Sequence, residues 1–259
     1  MAYEFILYEK KDRVAYVTLN RPQVMNALHP PANFELEEIF NDFCADPDQW
    51  VAIITGTGDR AFSAGNDLKY QAKSGGGVGM PPTGFAGLTS RYDNYKPVIA
   101  AVNGVAMGGG FEIALACDIL VAADSAIFAL PEPRVGLAAL AGGMHRLPRQ
   151  IGMKNAKGML LTGRRVSAEE GQRLGFVNEV VPAEKLMESA RRWADLILEC
   201  APLSVRTSKQ CAMDGMQSGS IEDAMSQRYT ELYAMLKSKD FVEGPMAFAQ
   251  KRSPEWKGE

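Results

Sequence analysis

Histidine is nearly missing from this chain: among 259 residues there are two, His29 and His145. A Ser-His-Asp or Cys-His triad, or a multi-histidine metal centre, has to draw on that pair. His29 stands before a Pro30-Pro31 turn and His145 lies in the basic stretch Met144-His145-Arg146, so each reads as a locally satisfied side chain rather than a base. Proton chemistry falls to carboxylates, and no metal site is expected. Cysteine is also sparse. Cys44, Cys117, Cys200 and Cys211 are widely and irregularly spaced, with no Cys-x-x-Cys pair, which suits free thiols in a reducing compartment. No positively charged leader opens the chain and no run of eighteen apolar residues occurs, so the expected setting is the cytoplasm, without a membrane partner. The formal net charge is −3 with scattered basic residues, which argues against nucleic acid as a partner.

What is present is enough apolar sequence, 46% of the chain, to bury a large core. Three β-branched runs, Val14 to Leu19, Val51 to Thr55 and Val98 to Val102, read as buried strands ending in turn signals. Ile119 to Ala123 and Ala126 to Ala129 add two more. Between them, Phe34 to Phe40 has the apolar spacing of a surface helix, and a second helix begins at Gly110 after a triple glycine. The alternation implies an α/β core. From about residue 183 helical periodicity takes over, through Leu186 to Leu198 and again through Ile221 to Leu236. The glycine- and proline-rich stretch from Gly75 to Phe85 reads as a mobile loop beside the functional site.

Two glycine-bearing turns follow predicted strands: Phe62-Ser63-Ala64-Gly65-Asn66-Asp67-Leu68 and Asn103 to Glu112, which contains Gly108-Gly109-Gly110. Glycines let the main chain approach a ligand closely, and a helix N-terminus presents unpaired N–H groups. Two such groups from separate turns would form an oxyanion hole. A phosphate loop is the rival, but neither Gly-Lys-Ser/Thr nor Gly-x-Gly-x-x-Gly occurs. A tight turn without a ligand would also use these glycines.

The ordered set Asn20-Arg21-Pro22, Asn26-Ala27-Leu28, Ala61-Phe62-Ser63-Ala64-Gly65, Asp67-Leu68, Lys96 to Gly104, Gly108-Gly109-Gly110 and Glu112 resembles the enoyl-CoA hydratase (crotonase) superfamily. Phe128-Ala129-Leu130-Pro131-Glu132, Ala141-Gly142-Gly143, Leu161-Thr162-Gly163-Arg164, Gly175-Phe176-Val177-Asn178 and Glu243-Gly244-Pro245 continue it nearly to the C-terminus. The resemblance implies an α/β spiral of repeated β-β-α turns over residues 1–195 and an all-helical region, 196–259, that packs subunits into trimers or a dimer of trimers. It implies an acyl-CoA thioester as substrate, with coenzyme A part of that substrate and no further cofactor. It places the oxyanion N–H groups on Asn66 and Gly109, and the CoA groove at Val24, Ala27, Ala64, Asp67 and Leu68. Phe248 and Lys251 occupy the region that can close over CoA from a neighbouring subunit.

Isomerases, hydrolases and dehalogenases share these turns, so the carboxylates decide the reaction. Glu112 and Glu132 stand where the hydratases carry their pair, and two carboxyls holding one water can both take and deliver a proton. Crowding raises the pKa of one of them. The expected activity is hydration of the 2,3 double bond of a 2-enoyl-CoA. The tail from Phe248 to Gly258 and the Phe-Glu and Pro-Glu steps also look similar to carnitinyl-CoA dehydratases, whose substrate carries a trimethylammonium; Phe85, Tyr92 and Tyr95 are then candidates to hold it. A Δ3,Δ2-enoyl-CoA isomerase runs with one carboxylate and is disfavoured by the second; a non-catalytic CoA- or RNA-binding relative is disfavoured by the complete site. One departure stands out: Ala139 and Leu140 replace a proline and a small or acidic residue, and Leu140 is expected to narrow or dry that side of the pocket.

Overall fold

The computed structural model describes residues 3–74 and 79–259. The chain opens with a hairpin, β1 (Ile6–Lys11) antiparallel to β2 (Val14–Leu19), then crosses by α1 (Pro30–Ala45) to β3 (Val51–Gly56). From there it climbs in repeats. β3, β4 (Ala61–Ser63) and α2 (Leu68–Lys73) form one, followed by β5 (Val98–Val102), β6 (Val105–Met107) and α3 (Gly109–Ala116). A third comprises β7 (Ile119–Ala123), β8 (Ile127–Ala129) and α4 (Gly143–Ile151). α5 (Met153–Thr162), β9 (Val166–Ser167), α6 (Ala168–Leu174) and β10 (Glu179–Val181) complete the β-bearing part. Each repeat gives its first strand to a six-stranded sheet, ordered β1-β2-β3-β5-β7-β10, and its second to a four-stranded sheet, ordered β4-β6-β8-β9. This is the anticipated β-β-α spiral.

Both faces of the large sheet are covered, which is why its strands are continuously apolar rather than alternating with polar residues. In β3, Ala52 and Ile54 enter the main core with Phe40, Phe43 and Phe62, whereas Val51 and Ile53 face the other way. That second face is closed by α7 (Leu186–Leu198), whose Leu186, Ala190 and Ala194 pack on Ile53, Ile99 and Val121. Beneath the site, Phe111, Phe128 and Phe176 meet pairwise with ring centroids 5.0 to 5.2 Å apart, fixing α3 to β8.

Four further helices follow: α8 (Pro202–Gly215), α9 (Ile221–Ser226), α10 (Thr230–Leu236) and α11 (Asp240–Gln250). The expected single helix from Ile221 to Leu236 is broken, because Gln227 and Tyr229 are extended. The break buries Tyr229, whose hydroxyl donates to the Ala224 carbonyl at 2.6 Å, and brings the Glu231 N–H to Gln210 Oε1 on α8 at 2.9 Å. A second correction concerns Pro30 and Pro31. They form no turn but open α1 at its first positions, where a missing N–H costs nothing, with His29 as N-cap. Residues 75–78 of the glycine-rich loop lie outside the described residues.

The tightest fit is at Gly110, where a Cβ would stand 2.1 Å from the Ser63 carbonyl oxygen. Gly110→Ala should therefore lose at least about 2 kcal/mol in urea unfolding. Gly158, in α5, has open space around its Cβ position, so Gly158→Ala should instead gain about 0.5 to 1 kcal/mol. Equal effects at the two positions would contradict the backbone contact.

Candidate active site

The close approach at Gly110 belongs to a larger junction between the turn after β4 and the start of α3. At Gly65, with φ at +85°, a Cβ would lie 2.7 Å from the Gly109 nitrogen. Only glycine allows both the left-handed conformation and the approach. Ser63 Oγ donates to the Asn26 carbonyl at 2.8 Å and accepts from the Gly65 N–H at 3.1 Å. The Ala64 N–H reaches the Met25 carbonyl at 2.9 Å, Leu28 donates to Gly65 at 2.8 Å, and Asp67 donates to Leu28 at 2.9 Å. Segments 24–28 and 63–68 are thereby laid side by side, bringing Val24, Ala27, Ala64, Asp67 and Leu68 together. Within that ladder the Asn66 N–H is unused, as is the Gly109 N–H at the start of α3, among the described residues.

Asp67 is committed elsewhere. It caps α2 by accepting from the Tyr70 N–H at 3.0 Å and pairs with Arg21 at 3.0 Å; Arg21 also donates to the Ala27 carbonyl. Burial opposes its charge, but these partners outweigh burial and hold its carboxyl below the usual range. The side chain of Asp67 thus ties segments 24–28 and 63–68 together through Arg21. His29 is buried beside this pair, edge-on to Phe5 and Tyr70, and burial lowers its pKa. His145 is exposed on α4. Neither histidine joins the carboxylates below.

Glu112 lies one turn into α3 and is 4% exposed. Its Oε1 accepts from the Gly143 N–H at 2.9 Å. Burial pushes its pKa up to about 7; the Glu132 charge adds to the rise, and the Gly143 and Ala141 N–H groups oppose it. Glu132 opens a short 3-10 turn, Glu132–Val135, after β8. Its Oε1 stands 3.2 Å from where a Cβ of Gly108 would be, placing this carboxyl at the α3 N-terminus. Burial raises its pKa as well, and its Oε2 is buried without a hydrogen-bond partner. Such an orphaned acceptor in a native fold calls for an explanation.

Glu132 also forms part of the wall of a cavity of about 380 Å³, otherwise lined by Leu130, Ala139, Met144, Pro148, Met153 and Leu161 among others, with Lys157 on α5. The sequence reading missed this cavity, because its lining is gathered from the segment after β8 and from α4 and α5, and no single motif shows that these meet. Leu140 does not narrow it: that side chain is 78% exposed, and Ala139 lines the cavity instead. None of the three aromatic candidates lines this cavity. Phe85 is buried against Gly109, Tyr92 is exposed, and the Tyr95 hydroxyl donates to Asp214 at 3.4 Å. Phe248, 87% exposed on α11, and Lys251 at its C-terminal end make no hydrogen bond or ion pair with segments 24–28 or 63–68 among the described residues. A larger cavity of about 910 Å³ lies between α11 and the C-terminal tail, but its Glu243 is ion-paired with Arg252.

Residues 9–259 match the model of a family described as enoyl-CoA hydratase/isomerase. The carnitinyl-CoA dehydratase of Citrobacter koseri is 43% identical over 98% of this chain and 99% of its own. That of Proteus mirabilis is 46% identical over 95% of each. Among solved structures, an enoyl-CoA hydratase from Mycobacterium tuberculosis superposes with a TM-score of 0.92 at 35% identity, covering 98% of this chain and 99% of that one. One from Bacillus anthracis gives 0.89 at 35% identity, covering 99% and 100%. With agreement along the whole length in both sequence and fold, the chain belongs to the enoyl-CoA hydratase/isomerase (crotonase) family, which acts on acyl-CoA thioesters.

Proposed function

We propose that this protein hydrates the 2,3 double bond of a 2-enoyl-CoA, reversibly, giving the 3-hydroxyacyl-CoA. The observation that carries this reading is the pair of carboxyls, Glu112 buried and Glu132 half-buried, at the N-terminus of α3, both with raised pKa and one with a buried oxygen that has no hydrogen-bond partner among the described residues. The Asn66 and Gly109 N–H groups hold the thioester oxygen as it gains enolate charge. A water between the carboxyls loses a proton to one and bonds to the β carbon, while the other delivers a proton to the α carbon. Both steps proceed from the pair carrying one proton. CoA lies along Val24, Ala27, Ala64, Asp67 and Leu68, and the reaction needs no metal or redox cofactor.

A second reading, dehydration of carnitinyl-CoA, uses the same carboxyls in reverse and is favoured by the names of the relatives at 43 to 46% identity. The isomerase reading needs only one of the two. The exposed Phe248, Ile221 and Met225 of the C-terminal helices support a homotrimer, or a dimer of trimers, in which α11 of one subunit reaches the CoA groove of the next.

Glu112→Gln and Glu132→Gln should each lower the rate of loss of enoyl-thioester absorbance from hexenoyl-CoA by about 10²- to 10⁴-fold; retention of activity within a few-fold in either would exclude the paired mechanism. The same rate should fall as pH rises above about 7, because the pair loses its shared proton as Glu112 titrates.

Stability carries the same sign. The folded pKa of Glu112, about 7, lies above its ordinary 4.5, so the folded state binds more protons than the unfolded one between those values. Stability therefore drops as pH climbs through that window, by at most about 3 kcal/mol. Glu112→Gln should flatten this drop in urea titrations at pH 5 and pH 8; an unchanged slope would remove Glu112 as its source. Sedimentation velocity should give a trimer or hexamer, and Phe248→Ala should raise KM more than it lowers kcat if α11 closes over CoA.

A further inference from the structure

Arg146, on the first turn of α4, is half-buried beside Glu112, and among the described residues it forms no ion pair. A guanidinium drawn out of water needs other partners for its N–H groups. Its Nη2 donates to the Thr89 carbonyl at 2.9 Å. Its Nη1 occupies the space that a Cβ on Gly142 would need, at a backbone φ of +104°.

These two contacts reach both halves of the site. Gly142 is the N-cap of α4, and the residue after it supplies the N–H that donates to Glu112 Oε1 at 2.9 Å. Thr89 is buried, and its Oγ1 accepts from the Phe85 N–H at 2.9 Å. The Phe85 ring in turn lies against Gly109, where a Cβ would be 2.6 Å from it. One planar side chain therefore stands between the turn that holds Glu112 and the segment that packs on Gly109. A guanidinium suits this place because one nitrogen donates while the other is kept in the same plane over Gly142.

We propose that Arg146 is a positioning residue: it braces the Gly142-Gly143 turn against segment 85–89 and thereby holds the Gly143 N–H on Glu112 and the Phe85 ring on Gly109 in one arrangement. The kinetic consequences rest on the hydration reading; the brace itself does not. Its electrostatic consequence has a definite sign. Burial dominates at Glu112 and, with the Glu132 charge, favours the protonated form, whereas the Gly143 and Ala141 N–H groups and the Arg146 cation favour the ionised one. Arg146 faces Tyr92 and Cys117 besides Glu112. Removing the brace takes away the cation and loosens the Gly143 donor, so Glu112 should hold its proton to higher pH.

Carbon-13 resonances of labelled glutamate carboxyls, with Glu112 assigned from Glu112→Gln, follow this titration without turnover. In Arg146→Met the midpoint should rise from about 7 by about one pH unit. With hexenoyl-CoA, kcat should fall about 10- to 100-fold while KM stays within about threefold. Arg146→Lys keeps the charge and should return the midpoint towards the parent's, yet recover kcat only in part, because one ammonium cannot hold both places. Thr89→Val cuts only the link to Phe85 and should lower kcat with the midpoint unmoved. An unmoved midpoint in Arg146→Met, or parental kcat in either Arg146 variant, overturns the proposal; if Arg146→Met does not fold, kcat of Arg146→Lys decides. A parent that turns over no enoyl-CoA removes the hydration reading, and the midpoint shift then decides the brace by itself.

Discussion

Everything at the site depends on backbone meeting backbone where no Cβ is present. The turn after β4 and the first turn of α3 touch at Gly65, Gly109 and Gly110, with spaces of 2.1 to 2.7 Å where a Cβ would go. That contact sets the separation of two N–H groups from different parts of the chain. It also fixes the direction of α3, and with it the position of Glu112 one turn further on. Gly108, at φ +55°, extends the principle: the carboxyl of Glu132 lies where a side chain would begin to crowd it. One junction of small residues thus sets the Asn66 and Gly109 N–H groups and the Glu112 and Glu132 carboxyls in register.

Electrostatics then separates the carboxyls around this junction from one another. Asp67 and Glu112 are both buried acids near a helix N-terminus, yet their pKa values move in opposite directions. Asp67 has a guanidinium and a helix-cap N–H, enough to overcome desolvation. Glu112 has backbone N–H donors and the positive end of α3, which moderate the desolvation without cancelling it. Arg146 lies close by, but it donates to the Thr89 carbonyl at 2.9 Å and forms no ion pair with Glu112. An ion pair there would hold Glu112 ionised; its absence leaves the carboxyl near 7, where a proton can be both held and released.

Legibility in the sequence followed physical cause. β2, β3, β5 and β7 were readable because burial on two faces makes their strands uniformly apolar, and α7 because its Leu186, Ala190 and Ala194 recur at helical spacing. β1 was not, since its Tyr8-Glu9-Lys10-Lys11 half is an edge largely facing solvent. The break at Gln227 to Tyr229 was also hidden: it answers to α8, a partner that periodicity within one segment does not reveal. At the site, Glu112 and Glu132 stood out through the resemblance to the hydratases, whereas the glycine turns were visible because local backbone geometry restricts which residues fit. The Gly143 N–H that holds Glu112 was not, because a backbone donor carries no side-chain signature. The outward direction of Leu140 was equally invisible, for it depends on how the chain enters α4.

These two kinds of visibility divide the molecule's chemistry. The groups proposed to stabilise an enolate and move protons lie on backbone turns and on α3, the glycines among them under steric rules that tolerate little substitution. The residues around the opening beside Glu132, Met144, Pro148 and Met153 among them, are side chains under no such backbone constraint and need only fill space. Exchanging one of them leaves the contact between Gly65 and Gly109 undisturbed. The backbone junction and these side chains are therefore physically separable in this fold, and likeness of fold to a relative speaks to the first far more strongly than to the second.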